Sequence, residues 1–124
     1  MSLGQTTAAL RAALEAKPGA VGASLPSAPG VVIYKVMGKM FAILEDRRIR
    51  NVILKCDPHL AEVLREQYAG VGHRSHLDRR FWISINLEAD VPPEEVERLA
   101  AASYDLVRAS LTRKQQAELA ALAG

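Results

Sequence analysis

Four side chains able to hold a metal or attack an electrophile, Cys56, His59, His73 and His76, are spaced C-x2-H-x13-H-x2-H, which has the outward form of a zinc site. The segments that carry them argue otherwise. Cys56 closes an apolar run, while His59 falls in the first turn of the helix that follows, where a solvated imidazole is ordinary. A chain of 124 residues also buries enough surface to fold without a structural metal. As a nucleophile Cys56 would gain from a helix N-terminus, but Asp57 beside it opposes the thiolate, so a buried structural thiol is expected. The sequence contains no P-loop, GxGxxG, GxSxG or HExxH pattern. The expectation is a non-enzymatic chain with no catalytic residues and neither cofactor nor metal.

Charge is the more informative chemistry. The net charge of +2 divides unevenly: residues 35–80 hold ten basic side chains against six acidic ones, whereas residues 81–124 hold four against seven. Such asymmetry marks a face that can meet a polyanion. The candidate face comprises Lys35, Lys39, Arg47, Arg48, Arg50, Lys55, Arg79 and Arg80. Within it, His76-Leu77-Asp78-Arg79-Arg80-Phe81-Trp82 sets two guanidinium groups beside two aromatic rings. That combination suits phosphate contact, although both rings are expected to pack. Asp78 can cap a turn there, which would let Arg79 and Arg80 project together instead of to opposite faces.

These residues need a scaffold, and the stretch from Gly30 to Pro58 supplies its centre. Val31–Met37 and Met40–Leu44 are rich in β-branched and aromatic residues and flank Gly38-Lys39, which predicts a hairpin with a type II′ turn. In that register Val36 faces Phe41 and Tyr34 faces Ile43, so Val32, Tyr34, Val36, Phe41 and Ile43 would share the core face. A third strand over Asn51–Cys56 completes a meander. A first helix is expected from Thr6 or Thr7 to about Ala16, after a frayed Met1–Gln5, followed by a loop over Gly19–Gly30 with a short extended piece at Val21–Leu25. Asp57-Pro58 starts a helix running to about Tyr68. Phe81–Leu87 alternates as a strand, with Ile83, Ile85 and Leu87 inward.

A long helix opens at Asp90–Pro93, with Asp90 as N-cap and Val96, Leu99, Ala100, Ser103, Tyr104 and Val107 along one stripe. Thr112 and Gln115 form a capping box for a last helix, Arg113–Ala123, free to stand partly detached. The fold class is α+β in the order α-β-β-β-α-β-α, one antiparallel sheet against helices, as a single domain over 1–124. No run of eighteen apolar residues exists, so no membrane span is expected. The lone cysteine and lack of a signal pattern point to the cytoplasm. An exposed edge strand or the last helix could support a homo-oligomer.

With these residues laid out, the chain resembles the MmcQ/YjbR family from about Pro29 to Leu106. The carrying pieces are Lys35-Val36-Met37-Gly38-Lys39-Met40-Phe41-Ala42, Leu54-Lys55-Cys56-Asp57-Pro58, Leu64-Arg65-Glu66-Gln67-Tyr68, His76 through Trp82, and Ser103-Tyr104-Asp105-Leu106. The resemblance implies a CyaY-like (frataxin-like) fold and DNA binding through a double wing of two projecting hairpins or loops. Gly22–Gly30 departs from the family in lacking an acidic residue and a Pro-Phe-Gly-like segment. Asp78-Arg79 stands where relatives carry Asn-Lys, and Phe81 replaces a common His. DNA is therefore the expected partner. The alternative is a small protein–protein or small-ligand module with an acidic partner. An iron-handling role would want an acidic first helix, and helix 1 carries only Glu15.

Overall fold

The computed structural model describes residues 3–123. Its elements are α1 (Leu3–Glu15), β1 (Ala20–Leu25), β2 (Ala28–Val36), β3 (Lys39–Asp46), β4 (Arg50–Lys55), α2 (Pro58–Gln67), β5 (Val71–Gly72), β6 (Trp82–Asn86), α3 (Pro93–Ala109) and α4 (Arg113–Ala123). The strands form one antiparallel sheet in the order β1-β2-β3-β4-β6-β5. Leu10 of α1, Ala61 and Leu64 of α2, the α3 stripe and Leu119 of α4 join one cluster with Val32, Tyr34, Val36, Leu44, Val52, Leu54, Ile83 and Ile85. All four helices thus cover the same side of the sheet, and the opposite face carries none.

The expected element order lacked two strands. β1 is uncharged and small (AVGASL), with four of its six residues exposed, so it shows no alternation; it is a strand because it pairs with β2 from Ala20↔Val36 to Leu25↔Ala28. β5 is two residues long and held by Ile85 and Ser84 of β6. At the other boundaries, α1 already includes Leu3, so Thr6 and Thr7 lie inside the helix and do not cap it; of the stretch expected to fray, Met1 and Ser2 lie outside the described residues.

The hairpin also turns one residue earlier than expected. Met37 and Gly38 form the loop with φ of 49° and 83°, positive at both positions as in a type I′ turn, and Val36 pairs with Lys39. Tyr34 then faces Ala42 and Lys35 faces Met40, which leaves Phe41 as the extra residue of a β-bulge. Phe41 and Ala42 are consequently both buried, while Ile43 drops out of the core cluster.

α3 seals this irregularity. Ser103, fully buried, donates its Oγ–H to the Phe41 carbonyl at 2.6 Å and accepts from the Lys55 N–H at 2.8 Å. The Phe41 ring meets Tyr104 edge-on with centroids 5.3 Å apart, and the Tyr104 hydroxyl donates to the Pro18 carbonyl at 2.5 Å. The predicted α3 stripe is buried throughout.

Asp90 does not cap α3, whose N-cap is Pro92; its carboxylate instead accepts from Ala69 N and Gly70 N at 2.9 and 2.8 Å, which holds its pKa below the usual range. Asp57 caps α2 as expected, accepting from His59 N and Leu60 N, and the Thr112–Gln115 capping box forms in both directions at 3.1 Å. α4 is not detached: Leu119 is fully buried, and its side chain fills the space that a Cβ on Gly19 would need.

Candidate functional site

Alternation along the strands assigns the helix-free face. Lys35 lies between the core residues Tyr34 and Val36, and Lys55 between Leu54 and Cys56, so both point away from the helices. Across this face the row Ile33↔Ile43↔Ile53↔Ser84 forms an apolar centre. Ile53 is fully buried although it lies outside the core cluster. The segment between β5 and β6 crosses this side. Arg74, two residues past β5, pairs with Glu45 on β3, three strand spacings or about 14 Å away, further than an arginine side chain spans from the edge. The 73–81 segment therefore folds over this side of the sheet.

Arg65 of α2 anchors that segment. Its Nη2 donates to the carbonyls of Arg79 and Trp82 at 2.9 Å each and its Nε to Gly72 O at 3.3 Å. Lost hydration, and then repulsion from Arg79, lower the Arg65 pKa. Asp78 caps the expected turn, accepting from Arg80 N at 2.9 Å while its carbonyl receives Phe81 N and Trp82 N. Arg79 and Arg80 accordingly project from a turn and not from a strand. Arg80 is engaged, with Nε and Nη2 on the two Asp78 oxygens at 3.1 and 2.8 Å and its guanidinium 5.1 Å from the Phe81 ring centre. That pairing draws the Asp78 carboxyl down to about 2. Among the described residues the Arg79 guanidinium reaches only His73 Nδ1, at 3.4 Å. Both arginines, with Arg65, line a concavity of about 270 Å³ that also contains Glu62 and Glu66.

The eight predicted cations are not one continuous patch. Lys35, Lys39, Lys55, Arg79 and Arg80 lie toward one end of the sheet, while Arg47, Arg48 and Arg50 lie at the β3–β4 turn. From Arg50 to Lys55 along β4 the two ends are about 17 Å apart. Lys39 leaves the face altogether, since its Nζ donates to the Ser110 carbonyl at the C-terminus of α3. Arg50 is paired with Asp46 at 3.2 Å. Among the described residues, Lys35, Arg48, Lys55 and Arg79 make no ion pair.

At the β3–β4 turn the fold adds a residue that charge counting did not single out. Glu45, 2% exposed, receives Arg47 at 3.1 Å and Arg74 on the same oxygen, Oε2. Gly30 makes room for this. At φ 85° it lies so close to Arg47 that a Cβ would stand 2.9 Å from Arg47 Cγ and 2.6 Å from the Asp46 carbonyl oxygen. With Arg48, Ile49 and Asn51 these groups line a concavity of about 320 Å³. No sequence signal joined Arg74 to this turn, because the contact spans 29 residues.

The cysteine and histidines do not assemble. Cys56 is buried at the floor of an apolar groove of about 340 Å³ between α2 and α3, and burial, then Asp57, push its thiol up to about 11. Among the described residues no group of three or more His, Cys, Asp or Glu side chains could hold a metal ion, and no helix is long and apolar enough to cross a membrane.

The molecule is thus an α+β protein with four helices on one side of an antiparallel sheet and cations from separate segments along the other. The chain belongs to the YjbR family, whose model matches residues 15–106. It is 34% identical over 71 residues to the uncharacterized protein YjbR of Escherichia coli, covering 56% of this chain and 60% of that protein. It therefore spans less than two thirds of that relative. The uncharacterized protein YbdF of the same species is 24% identical over 92 residues, covering 73% of this chain and 75% of that one. Among solved structures, Deinococcus radiodurans protein DR2400 superposes with a TM-score of 0.82 at 26% identity, covering 96% and 91% of the two chains. A protein from Pseudomonas syringae gives 0.68 at 20% identity, covering 86% and 98%.

Proposed function

We propose that this chain is a non-enzymatic nucleic-acid-binding module on a frataxin-like α+β scaffold, with double-stranded DNA as the partner and the helix-free face as the contact surface. One observation carries the reading: among the described residues, Lys35 on β2, Arg48 at the β3–β4 turn and Lys55 on β4, with Arg79 at the edge of this face beside α2, supply cations without ion-pair partners from four separate segments. The buried acid of that side, Glu45, is already committed to Arg47 and Arg74. Mobile counterions must balance such charge in the free protein, and their release on binding a polyanion is favourable. The separation of the two ends, about 17 Å, is of the order of the phosphate-to-phosphate span of a major groove about 12 Å wide. The two wings of this reading are the β2–β3 hairpin and the 73–81 segment.

The test is fluorescence anisotropy with a short random-sequence duplex over a salt series. Log K should fall linearly with log salt, by about 0.9 for each phosphate neutralised. Lys55→Glu with Arg79→Glu should weaken binding at least about tenfold, or about 1.4 kcal/mol, and reduce the slope by about two contacts, with the melting temperature held. Absence of binding by the parent at low salt would remove the nucleic-acid reading and leave an acidic protein or small ligand as the partner.

A further inference from the structure

We propose that the concavity beside the β3–β4 turn is a binding site for a terminal phosphate, a phosphomonoester, a ligand distinct from the internal phosphodiesters of the duplex reading, with which the site shares Arg48. Three arginines, Arg47, Arg48 and Arg74, line it with one carboxylate, Glu45, which leaves a formal charge of +2. Glu45 holds two of them in place. Its side chain is 3% exposed, whereas those of Arg47 and Arg74 are 48% and 39% exposed, so the acid is fixed inside and the cations open outward.

Each of the two anchored guanidinium groups carries five N–H donors, of which only those on Nη2 meet Glu45; the rest make no other hydrogen bond among the described residues. Arg48 has no ion-pair partner, and the Asn51 amide adds a further donor on the wall.

Charge selects the ligand class. A phosphomonoester carries about −1.5 to −2 near neutral pH and offers three strong acceptor oxygens, which matches the site, whereas a phosphodiester carries only −1. Planar guanidinium forks suit phosphate oxygens two at a time, and holding two forks beforehand lowers the ordering cost of capture. The concavity of about 320 Å³ also leaves space for the carbon group attached to the phosphate, with half-exposed Ile49 as its apolar wall. Glu45 is a positioning residue here, touching the arginines and not the ligand.

Two sources share this chemistry, a free small phosphomonoester and the phosphorylated end of a nucleic-acid strand. Arg48 is common to this site and the duplex surface, so the two readings are told apart by ligand and by position: small phosphomonoesters with Arg48→Glu here, a duplex with Lys55→Glu and Arg79→Glu there. The experiment follows the backbone amides of Ile49 and Asn51 by ¹H–¹⁵N NMR during titration with glycerol phosphate, glycerol, and an oligonucleotide bearing either a terminal phosphate or a terminal hydroxyl. Saturable shifts with glycerol phosphate and none with glycerol are expected. Arg48→Glu should weaken binding at least about tenfold. Arg98→Glu, the same charge change on α3 of the helix side, should leave it unchanged. If the phosphorylated oligonucleotide saturates the site while glycerol phosphate does not, the strand terminus is the source and the site stands. If neither phosphorylated probe shifts these amides beyond its hydroxyl counterpart, or if Arg48→Glu binds as the parent does with its fold intact by circular dichroism, the site is refuted. Loss of duplex binding by Lys55→Glu with Arg79→Glu, with these shifts retained, would separate the two surfaces.

Discussion

Replacing Ser103 by alanine should unfold this protein more readily than any other exchange of a single hydroxyl for hydrogen. The β3–β4 ladder ends at Ala42↔Leu54, next to the bulge that Phe41 makes against β2, and the Phe41 carbonyl and the Lys55 N–H lie just beyond its last pair. Ser103 Oγ supplies both, at 2.6 and 2.8 Å, from a site with no solvent access. Each hydrogen bond contributes a net 0.5–1.5 kcal/mol, and a buried group left without a partner costs about 1–3 kcal/mol. Because Lys55 is half-exposed, part of its loss can be made good by water, so the expected cost of Ser103→Ala is about 2–4 kcal/mol. For a chain of 124 residues that lowers Tm by roughly 8–15 °C. Urea unfolding followed by circular dichroism measures it, with an unchanged m value showing that the same surface is exposed. Ser110→Ala provides the contrast. Its hydroxyl bonds only the Val107 carbonyl one turn back, at the end of α3, and should cost under about 1 kcal/mol. If Ser103→Ala falls within about 0.5 kcal/mol of the parent, the claim that Ser103 satisfies the backbone groups beyond the end of the ladder is wrong.

Two further outcomes are expected. Cys56 should react slowly with a thiol reagent in the native protein: raising its pKa from 9.0 to about 11 cuts the thiolate population near neutral pH about a hundredfold, and rapid labelling would contradict its structural role. Asp78 should titrate near 2 by carboxyl NMR, against about 3.9 in the unfolded chain. Because the folded pKa is the lower one, its contribution to stability is complete above about pH 5 and is lost as the pH falls through 3.9 toward 2. Arg80→Ala should move the midpoint part of the way back, since the Arg80 backbone N–H also bonds the carboxylate, and an unmoved midpoint would exclude the side-chain pair as the cause.

What the sequence displayed was whatever short range decides. The α3 stripe, the Asp57 cap and the Thr112–Gln115 box each depend on residues within a few positions of one another, and each stands as expected. Asp90 had an equally good local signature for a helix cap, but Ala69 N and Gly70 N, twenty residues earlier, compete for the same carboxylate and hold it. β1 was legible only as the short extended piece at Val21–Leu25, because its uncharged side chains, exposed on both faces, carry no period; pairing with β2 makes that piece a strand of the sheet, Ala20–Leu25. The candidate site follows the same division. The partners of Arg50 and Arg80 lie four and two residues away, within sight of a sequence reader. Lys39 is withdrawn by a carbonyl 71 residues later, and Arg74 is brought in by a segment that crosses two strands.

The bulge is the point where these two divisions meet. Phe41, Ile43 and Glu45 have the same parity in sequence, so in a regular strand all three would face one side. A regular β3 would then either bury Glu45 among the helices with Phe41 or turn Phe41 out of the core with Glu45. One extra residue removes the conflict: Phe41 and Ala42 both point to the helices, the alternation restarts, and Ile43 and Glu45 face the other way. Phe41 can then pack against Tyr34 and Tyr104, while Glu45 gathers Arg47 and Arg74 on the opposite side. The backbone groups next to the bulge, the Phe41 carbonyl and the Lys55 N–H, are met by Ser103. The core aromatic cluster and the arginine cluster on the far face therefore depend on the same inserted residue, and the departure from strict alternation is the feature that lets one strand serve both.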